Sequence, residues 1–461
     1  MNLPALRRQL TLTAATALVV SNMIGTGIFT TTGFLAGDLG RPSLVLGIWL
    51  VGALMVVAGC LSYSELGINF PRSGGEYVYL REAWGPAWGF MTGCVSFVAG
   101  FSAPVALSAL GFSEYLGTFF PALRVSQEEP NVLGFLHVSP GTLLAVCLIA
   151  GFAVINIRGV SLAARLQSAL TITTLGVLAL FLVLAFAMGD GQWQNLATET
   201  TRTSQHSVPA QFAASLVFVM FAYSGWNAAV YVAEEMKDPE RTLPRALIGG
   251  AGLVALFYFA LNAAFIYALP LGALKGVVPV GATAARALFG NRVGGFFVIV
   301  MALALLGCVS AMSLVGPRVT FAMARDGAFF PSAARVHPRW QTPVLAILFQ
   351  TAGASVLVLT GTFKALIAYV GFALVLFAAL ATAGLFRLRK RPGWKRTAAV
   401  NWCYPLIPVL FLLSTSWMLV FTLKLYPRES ALGLLTIALG GAAYHLQYRK
   451  KAIIRDQSAH E

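Results

Sequence analysis

The chain has 461 residues, of which 58% are hydrophobic and 11% are charged, and its mean hydropathy is +0.77. Because about a quarter of the residues of a soluble domain are charged, this composition excludes a soluble enzyme or a large water-exposed domain and indicates a protein whose solvent is lipid. The net charge of +15 does not indicate nucleic-acid binding, since the basic residues stand in loops between apolar stretches, where they set membrane topology.

Twelve apolar stretches, bounded by charged residues, glycine or proline, follow one another along the chain as spans 1 to 12. Spans 1 to 6 lie at about 12–37, 42–69, 86–120, 140–157, 163–188 and 208–235. Spans 7 to 12 lie at about 242–268, 293–324, 343–360, 365–386, 401–423 and 430–448. We therefore predict an all-α polytopic membrane protein with 12 transmembrane helices, which form one transmembrane domain across residues 1–461.

The distribution of basic residues predicts the orientation of these spans. Of the 32 Lys and Arg, 23 fall on the side of the membrane that holds the N-terminus and 9 fall on the other side. Cytoplasmic loops carry the basic excess, so both termini are predicted to be cytoplasmic in a multi-pass protein of the plasma (inner) membrane. The first apolar stretch is interpreted as span 1 rather than as a signal peptide, because many further spans follow it.

No His or Asp that could supply catalytic chemistry lies in the middle of a span. The sequence has no HExxH or GxSxG motif, and its five His residues lie in loops or tails. The cysteines lie within apolar stretches without CxxC spacing and are interpreted as small packing residues, at Cys60, Cys94, Cys147, Cys308 and Cys403. We therefore expect no metal, no cofactor and no enzymatic activity, and keep a polytopic membrane enzyme as an alternative.

Two spans contain a short, polar and flexible segment at their midpoint. Span 1 contains Gly25, Thr26 and Gly27, and span 6 contains Ser224, Gly225 and Trp226. Irregular backbone at membrane depth is tolerated only where protein covers it or where it lines a watery cavity, so we predict that both helices break around a binding site. The alternative is that the glycines only allow close helix packing.

A pair of broken spans in corresponding halves is typical of LeuT-type transporters. We predict a five-plus-five inverted repeat, with one repeat over about residues 12–188 and the second over about 208–386. Two additional C-terminal helices then occupy about 401–448.

The broken ends predict the chemistry of the ligand. The free amides of Thr26, Gly27 and Ile28 would attract a carboxylate, and the carbonyls that end the other half-helices would accept hydrogen bonds from an ammonium group. A zwitterion fits both ends. The predicted substrate-binding residues are Asn22, Met23, Ile24, Gly25, Thr26, Gly27, Ile28, Phe221, Ala222, Tyr223, Ser224, Gly225 and Trp226.

The substrate's side chain is expected to be neutral. The acidic residues near the spans (Glu65, Glu114, Glu234 and Glu235) fall toward span ends, so no charge is expected near either break. Further polar residues are expected to line the site at Asn22, Ser102, Tyr223, Trp226, Ser310 and Tyr369. Phe221 lies one helical turn before Gly225 and is either an aromatic gate over the substrate or ordinary core packing.

Three segments resemble one family. LSYSELGINFPRSGGEYVYLREAWGP (61–86), FAYSGWNAAVYVAEEMKDPERTLPRAL (221–247) and GPRVTFAMARDGAFFP (316–331) are similar to amino acid, polyamine and organocation (APC) transporters, with the L-amino-acid transporter branch as the best match. With GTGIF in span 1, the resemblance covers about residues 10–345. It implies exchange or secondary active transport of small or medium neutral L-amino acids by alternating access.

The same resemblance implies roles for individual residues. The amides of Thr26 and Gly27 would meet the substrate carboxylate, the carbonyls of Ile24, Phe221 and Ser224 would meet the amine, and Phe221 would be the gate. These assignments agree with those made from the broken ends.

The sequence departs from the family pattern at two places. Many members have a lysine in span 5 where this chain has Thr174, which makes Thr174 a candidate coupling position without the usual cation. Members that pair with a glycoprotein heavy chain have a cysteine in the loop after span 3, and residues 121–139 contain none, so no disulfide-linked heavy chain is expected. A sodium- or proton-coupled symporter stays as an alternative, with Ser310 and Ser313 as oxygen ligands for sodium.

Glu234 and Glu235 end span 6, where negative charge opposes the helix dipole. We hypothesise that one of them pairs with Arg318 or Arg325 and helps to close the inner gate. The alternative is a solvated helix end.

Overall fold

The computed structural model describes residues 8–125, 136–277, 279–360 and 363–459, without the side chains of 363–369, 399, 429 and 447–459. Regular structure in these ranges is helical, and a lone parallel bridge joins Leu10 to Met236. The first-half helices are α1 (Leu12–Met23), α2 (Thr26–Leu39), α3 (Pro42–Asn69), α4 (Glu76–Trp84), α5 (Pro86–Val95), α6 (Ala103–Leu116), α7 (Pro140–Arg158) and α8 (Val160–Met188).

The second half contains eleven further helices. They are α9 (Val208–Ala222), α10 (Ala228–Tyr231), α11 (Pro239–Ala268), α12 (Leu271–Leu274), α13 (Val280–Val315), α14 (Pro317–Arg325), α15 (Val344–Thr360), α16 (Phe363–Leu388), α17 (Ala398–Trp402), α18 (Leu406–Leu425) and α19 (Pro427–Ala459). Short 3-10 turns lie at Pro121–Leu123, Trp193–Leu196, Ala233–Glu235 and Pro331–Ala334.

The described residues include nine helical segments that are long and apolar enough to cross a bilayer. Three shorter apolar helices accompany them at Val208–Ala222, Val344–Thr360 and Ser430–Leu446. The all-α polytopic class is therefore confirmed, whereas the total of twelve spans and the inverted repeat remain predictions.

Burial distinguishes central spans from peripheral ones. In the most apolar window of the helix pair Leu12–Leu39, 78% of the residues are buried inside the protein, and in Val280–Arg325 the share is 83%. The corresponding share is only 28% in Val160–Met188 and in Leu406–Leu425. The share is also 78% in Pro86–Leu116, so spans 1, 3 and 8 form the centre of the bundle, and spans 5 and 11 lie at its periphery.

Two elements differ from the sequence prediction. Span 8 was placed from about 293, but its helix begins at Val280 and bends at Gly290, whose positive φ of 71° only glycine adopts easily. The connection between spans 2 and 3 was read as a loop, but it contains α4, which packs against α5 and α16.

The helix of span 3 contains a wider turn next to the centre of the protein. A π-helical turn, Ser96–Ser102, joins α5 to α6 just before Pro104. Proline has no N–H to donate to the preceding turn, so the ladder of hydrogen bonds shifts there. The shift leaves Gly100 and Pro104 at the walls of the two cavities described below.

Candidate functional site

Span 1 is broken where the sequence predicted. The helix α1 ends at Met23, Ile24 and Gly25 are extended with ψ of 94° and −156°, and α2 begins at Thr26. No side chain caps the N-terminus of α2. The first amides of this half-helix therefore keep their hydrogen-bonding capacity and the positive end of the helix dipole.

Span 6 is broken at the matching place. The helix α9 ends at Ala222, the amide of Ser224 turns back to the carbonyl of Phe221 at 2.9 Å, and α10 begins after Asn227. Gly225 sits inside this turn with a φ of 90°, which side-chain-bearing residues rarely adopt.

The same glycines also let the two breaks touch. A Cβ on Gly27 would stand 2.5 Å from the Cα of Ala222, and a Cβ on Gly225 would stand 2.6 Å from the carbonyl oxygen of Asn22. The glycines therefore allow close packing, which was the alternative interpretation, and they also lie at the breaks. The two interpretations hold together.

A tyrosine from span 7 joins the two broken ends, and sequence reasoning missed it. The Tyr258 hydroxyl donates toward the carbonyl oxygens of Met23, at 2.5 Å, and Ala222, at 3.0 Å. Its ring packs against Trp49 and Tyr223, with ring centroids 5.4 and 5.0 Å away. In the sequence, a lone tyrosine within an apolar span looks the same as a core residue.

A cavity opens between the two breaks and is called the break cavity. Eight predicted residues line it: Asn22, Met23, Gly25, Thr26, Gly27, Phe221, Ala222 and Ser224. Four residues that the sequence did not indicate complete its wall, from α6 and α13: Pro104, Ser108, Cys308 and Met312.

A second, larger cavity shares Asn22, Ser224 and Met312 with the first and is called the Glu76 cavity. Its other lining residues include Glu76, Gly100, Phe101, Gly225, Trp226, Asn227, Tyr231, Leu374 and Phe411. The predicted residues Gly225 and Trp226 lie here.

The remaining candidates lie elsewhere. Ile24, Ile28 and Tyr223 are buried beside the breaks, and the Tyr223 hydroxyl donates to the carbonyl of Trp49 at 3.2 Å.

The other candidates lie on spans 3, 5, 8 and 10. Ser102 Oγ faces Gly353 of α15. Thr174 on α8 and Ser310 and Ser313 on α13 are buried, and the side chain of Tyr369 lies outside the described residues.

Span 5 contacts span 1 through a residue one turn before Thr174. Thr171 Oγ1 and Ser21 Oγ lie 2.5 Å apart, and Thr171 also reaches the carbonyl oxygen of Ala17 at 3.3 Å. Neutral hydroxyls therefore occupy the contact between α8 and α1.

The expectation that no charge lies near either break is wrong. Glu76 is 2% exposed, and its Oε1 accepts hydrogen bonds from the Tyr63 hydroxyl at 2.6 Å and from Asn227 Nδ2 at 2.8 Å. Asn227 lies two residues after Gly225, so its hydrogen bond connects the Glu76 carboxyl group to the break in span 6. Burial raises the pKa of Glu76 from its usual 4.5 to about 7.

Asn22 lines both cavities and, in the described part of the chain, has an unpaired acceptor atom. Its Nδ2 donates to the carbonyl of Leu18 at 2.7 Å, which fixes the amide orientation, and its buried Oδ1 has no hydrogen-bond partner among the described residues. A buried polar atom without a partner costs about 1–3 kcal/mol, so this oxygen is a candidate contact for a bound ligand.

The acidic end of span 6 is paired as hypothesised. Arg318 and Glu235 form an ion pair at 2.8 Å with both side chains 1% exposed, and Arg325 Nη1 lies 2.8 Å from Glu234 Oε1. The carbonyl of Glu235 also accepts the amides of Gln9 and Leu10, at 2.8 and 2.9 Å. The pairing is therefore confirmed, and a fully solvated helix end is excluded.

These features define a class of protein. A polytopic helical bundle with two broken helices that meet at a shared cavity is the architecture of a secondary transporter.

The chain belongs to the amino acid permease family, whose family model matches residues 10–439. It is 31% identical to the serine/threonine exchanger SteT of Bacillus subtilis over 455 residues, which are 97% of this chain and 98% of SteT. It is also 30% identical to two human proteins, the large neutral amino acids transporter small subunit 2 and the Asc-type amino acid transporter 1. Each of those alignments covers 96% of this chain, and they cover 81% and 82% of the relatives.

Family membership confirms the resemblance to APC transporters of the L-amino-acid branch. The protein is therefore a multi-pass membrane transporter rather than an enzyme.

Proposed function

We propose that this permease exchanges small neutral L-amino acids, with serine as the representative substrate, and holds the α-carboxylate and α-ammonium groups in the break cavity. One observation carries the proposal: the uncapped N-terminus of α2 opens on a cavity whose other wall is made by the ends of α1 and α9. The activities that the relatives are named for, serine/threonine exchange and transport of large neutral amino acids, involve the same α-carboxylate and α-ammonium groups.

The carboxylate is assigned to the N-terminus of α2. The amides of Thr26, Gly27 and Ile28 occupy the first turn of a 14-residue helix, where no carbonyl within the helix accepts them. A carboxylate at such an end gains charge-assisted hydrogen bonds and a favourable interaction with the helix dipole.

The ammonium group is assigned to acceptors at the opposite side. Two of the predicted carbonyls, those of Met23 and Ala222, already accept from Tyr258, and the Phe221 carbonyl accepts from Ser224. We therefore assign the amine to the carbonyl of Ser224, which lines the cavity, with Asn22 Oδ1 as a further acceptor and the carbonyl of Ile24 beside the break as the remaining predicted one.

The lining residues favour a small side chain. Ala222, Ser108 and Cys308 offer little bulk and two groups able to hydrogen-bond a hydroxyl. Phe221, which is 7% exposed and lines the cavity, is proposed to cover the substrate as a gate.

The ion pairs at the end of span 6 are proposed to hold the inner gate shut. In alternating access, Glu234 and Glu235 must separate from Arg325 and Arg318 when the cavity opens on that side. The five-plus-five repeat, with repeats at 12–188 and 208–386 and two helices at 401–448, is proposed as the framework of this motion.

We place the protein in the plasma (inner) membrane with both termini in the cytoplasm, because 23 of 32 basic residues fall on that side. No disulfide-linked heavy chain is proposed, because residues 121–139 contain no cysteine.

Two measurements test this function. Purified protein in serine-loaded liposomes should take up labelled L-serine much faster than in empty liposomes, with or without a sodium or proton gradient. A thermal-shift screen should show stabilisation by neutral L-amino acids and none by their decarboxylated amines, such as ethanolamine for serine. Stabilisation by the amines alone would contradict the carboxylate assignment, and sodium-dependent uptake without exchange would favour the symporter.

A further inference from the structure

Glu76 differs from the other buried acids of the described chain in having no cationic partner. Glu65 is paired with Arg389 at 2.5 Å, and Glu235 is paired with Arg318 at 2.8 Å. The groups that contact Glu76 are instead neutral hydroxyl and amide donors. A buried carboxylate without a cation is costly, and it is relieved when a cation or a proton binds.

We infer that Glu76 is a proton-binding site of the transport cycle, an inference that rests on the proposed function. Glu76 lines the Glu76 cavity, which shares Asn22 and Ser224 with the break cavity. The two cavities are therefore adjacent, and solvent or substrate in the break cavity lies next to the Glu76 cavity. The same carboxyl group is bonded to Asn227, in the segment that follows the break of span 6.

The surroundings of Glu76 identify the proton as its ligand. The titratable groups that face it are tyrosines: Tyr63 from α3, Tyr79 on α4 itself and Tyr231 from α10. Ser96 of the π-helical turn is a hydrogen-bond partner of Tyr231 and carries no charge.

The nearest basic side chains are occupied by other acids. On α4 Arg81 contacts Asp326, and on α14 Arg318 and Arg325 pair with Glu235 and Glu234. Among the described side chains of α16, which packs against α4, the one basic residue is Arg387, in the last turn of the helix. Among the side chains that the structure describes, no fixed cation is thus placed to neutralise Glu76.

The proton step is simple and reversible. A proton from water in the Glu76 cavity adds to a carboxylate oxygen and gives a neutral carboxylic acid, and the same proton leaves when the carboxylate forms again. No other bond changes. The carboxylate accepts hydrogen bonds from Tyr63, Asn227 and Tyr231, and on protonation it gains one O–H donor and becomes a weaker acceptor. The bond from Asn227 therefore weakens and the segment after Gly225 is released.

The first test compares wild type, Glu76→Gln and the control Glu199→Gln in proteoliposomes. Glu199 is exposed and pairs with Arg41, so its loss leaves the cavities unchanged. Serine exchange is measured at equal internal and external pH, from about pH 6 to about pH 8. The protonated fraction of a group with a pKa of about 7 falls about tenfold over this interval.

We expect the exchange rate of wild type and Glu199→Gln to change several-fold over this interval and that of Glu76→Gln to be flat. An identical pH profile in wild type and Glu76→Gln would overturn the inference.

A second measurement needs no transport. The infrared C=O band of protonated carboxyl groups is titrated in detergent-solubilised protein, and we expect a component that disappears near neutral pH in wild type and Glu199→Gln but is missing in Glu76→Gln. An unchanged titration in Glu76→Gln would refute proton binding at this residue. If wild type exchanges no amino acid, the proposed function fails, and the infrared titration still decides whether Glu76 binds a proton.

Discussion

The Tyr258 hydroxyl lies 2.5 Å from the carbonyl oxygen of Met23 and 3.0 Å from that of Ala222, and so one side chain holds the broken ends of spans 1 and 6 together. These carbonyls end α1 and α9, where no further helical amide is available to them. The distance between the two half-helices, and with it the shape of the break cavity, is therefore set from span 7.

Replacing Tyr258 with Phe should weaken both the fold and transport. The change removes one hydroxyl that serves two buried carbonyls, which costs about 1–3 kcal/mol in the free energy of unfolding. The control is Tyr115→Phe, because the Tyr115 hydroxyl is buried and has no hydrogen-bond partner in the described part of the chain. Thermal unfolding and serine exchange are measured for both, and equal effects of the two substitutions would contradict the role of Tyr258.

Replacing Gly27 with Ala should push apart the broken segments of spans 1 and 6. The added Cβ would stand 2.5 Å from the Ala222 Cα, so the backbone has to move, at a cost of about 1–3 kcal/mol. The control is Gly47→Ala in α3, where a Cβ meets nothing within 4 Å and alanine is the better helix former. We expect lost exchange and a lower unfolding temperature only for Gly27→Ala, and normal exchange in that variant would refute the close approach.

Replacing Thr26 with Pro should remove one carboxylate donor without disturbing the helix. Thr26 is the first residue of α2, a position that proline tolerates, and the preceding Gly25 is extended as a residue before proline must be. One charge-assisted hydrogen bond is worth about 1.5–3 kcal/mol, so serine affinity should fall about tenfold or more. Thr26→Ala keeps the amide and is the control, and equal affinities of the two variants would contradict the assignment.

Exchanging the charges of Glu234 and Arg325 should restore what either single change destroys. Each of Glu234→Arg and Arg325→Glu places like charges side by side where the structure has a partly buried pair at 2.8 Å, and we expect both to lose exchange activity. The double variant recovers an opposite pair. Serine exchange is the readout, and a double variant as inactive as the singles would count against the proposed gate.

The stability of the protein should depend on pH through Glu76. Its pKa in the folded protein is about 7 against a usual 4.5, so the folded state binds the proton more tightly than the unfolded state. Its contribution is fully present below about pH 4.5 and is lost as the pH rises to about 7, a change of about 3 kcal/mol.

Thermal unfolding of wild type and Glu76→Gln in detergent, across this pH range, measures the effect. We expect wild type to lose stability relative to Glu76→Gln as the pH rises, with Glu199→Gln following wild type. A constant difference between wild type and Glu76→Gln would show that Glu76 does not titrate there.

The breaks were predictable from sequence because their cause is local. Gly25, Gly27 and Gly225 lie beside polar residues in spans that are otherwise apolar. Because lipid does not tolerate unpaired backbone groups, such a segment indicates a helix break that protein or a watery cavity covers. The same reasoning gave eight of the residues that line the break cavity.

Glu76 and Tyr258 were not predictable because tertiary packing gives them their roles. Glu76 belongs to a polar connection that reads as a loop, and only the packing of α4 against the bundle brings it to the break of span 6. Tyr258 has the same apolar neighbours in sequence as any core tyrosine. Ser108 and Cys308 likewise became wall residues only through the packing of α6 against α13 and of α13 against α1.

The short pairing between the start of the chain and the end of span 6 ties the first residues to the conformational balance of the transporter. Gln9 and Leu10 donate to the Glu235 carbonyl, and the amide of Lys237 donates back to Leu10 at 2.9 Å. Truncating the chain through residue 10 would remove these bonds, so changes outside the membrane spans can alter how the end of span 6 is held.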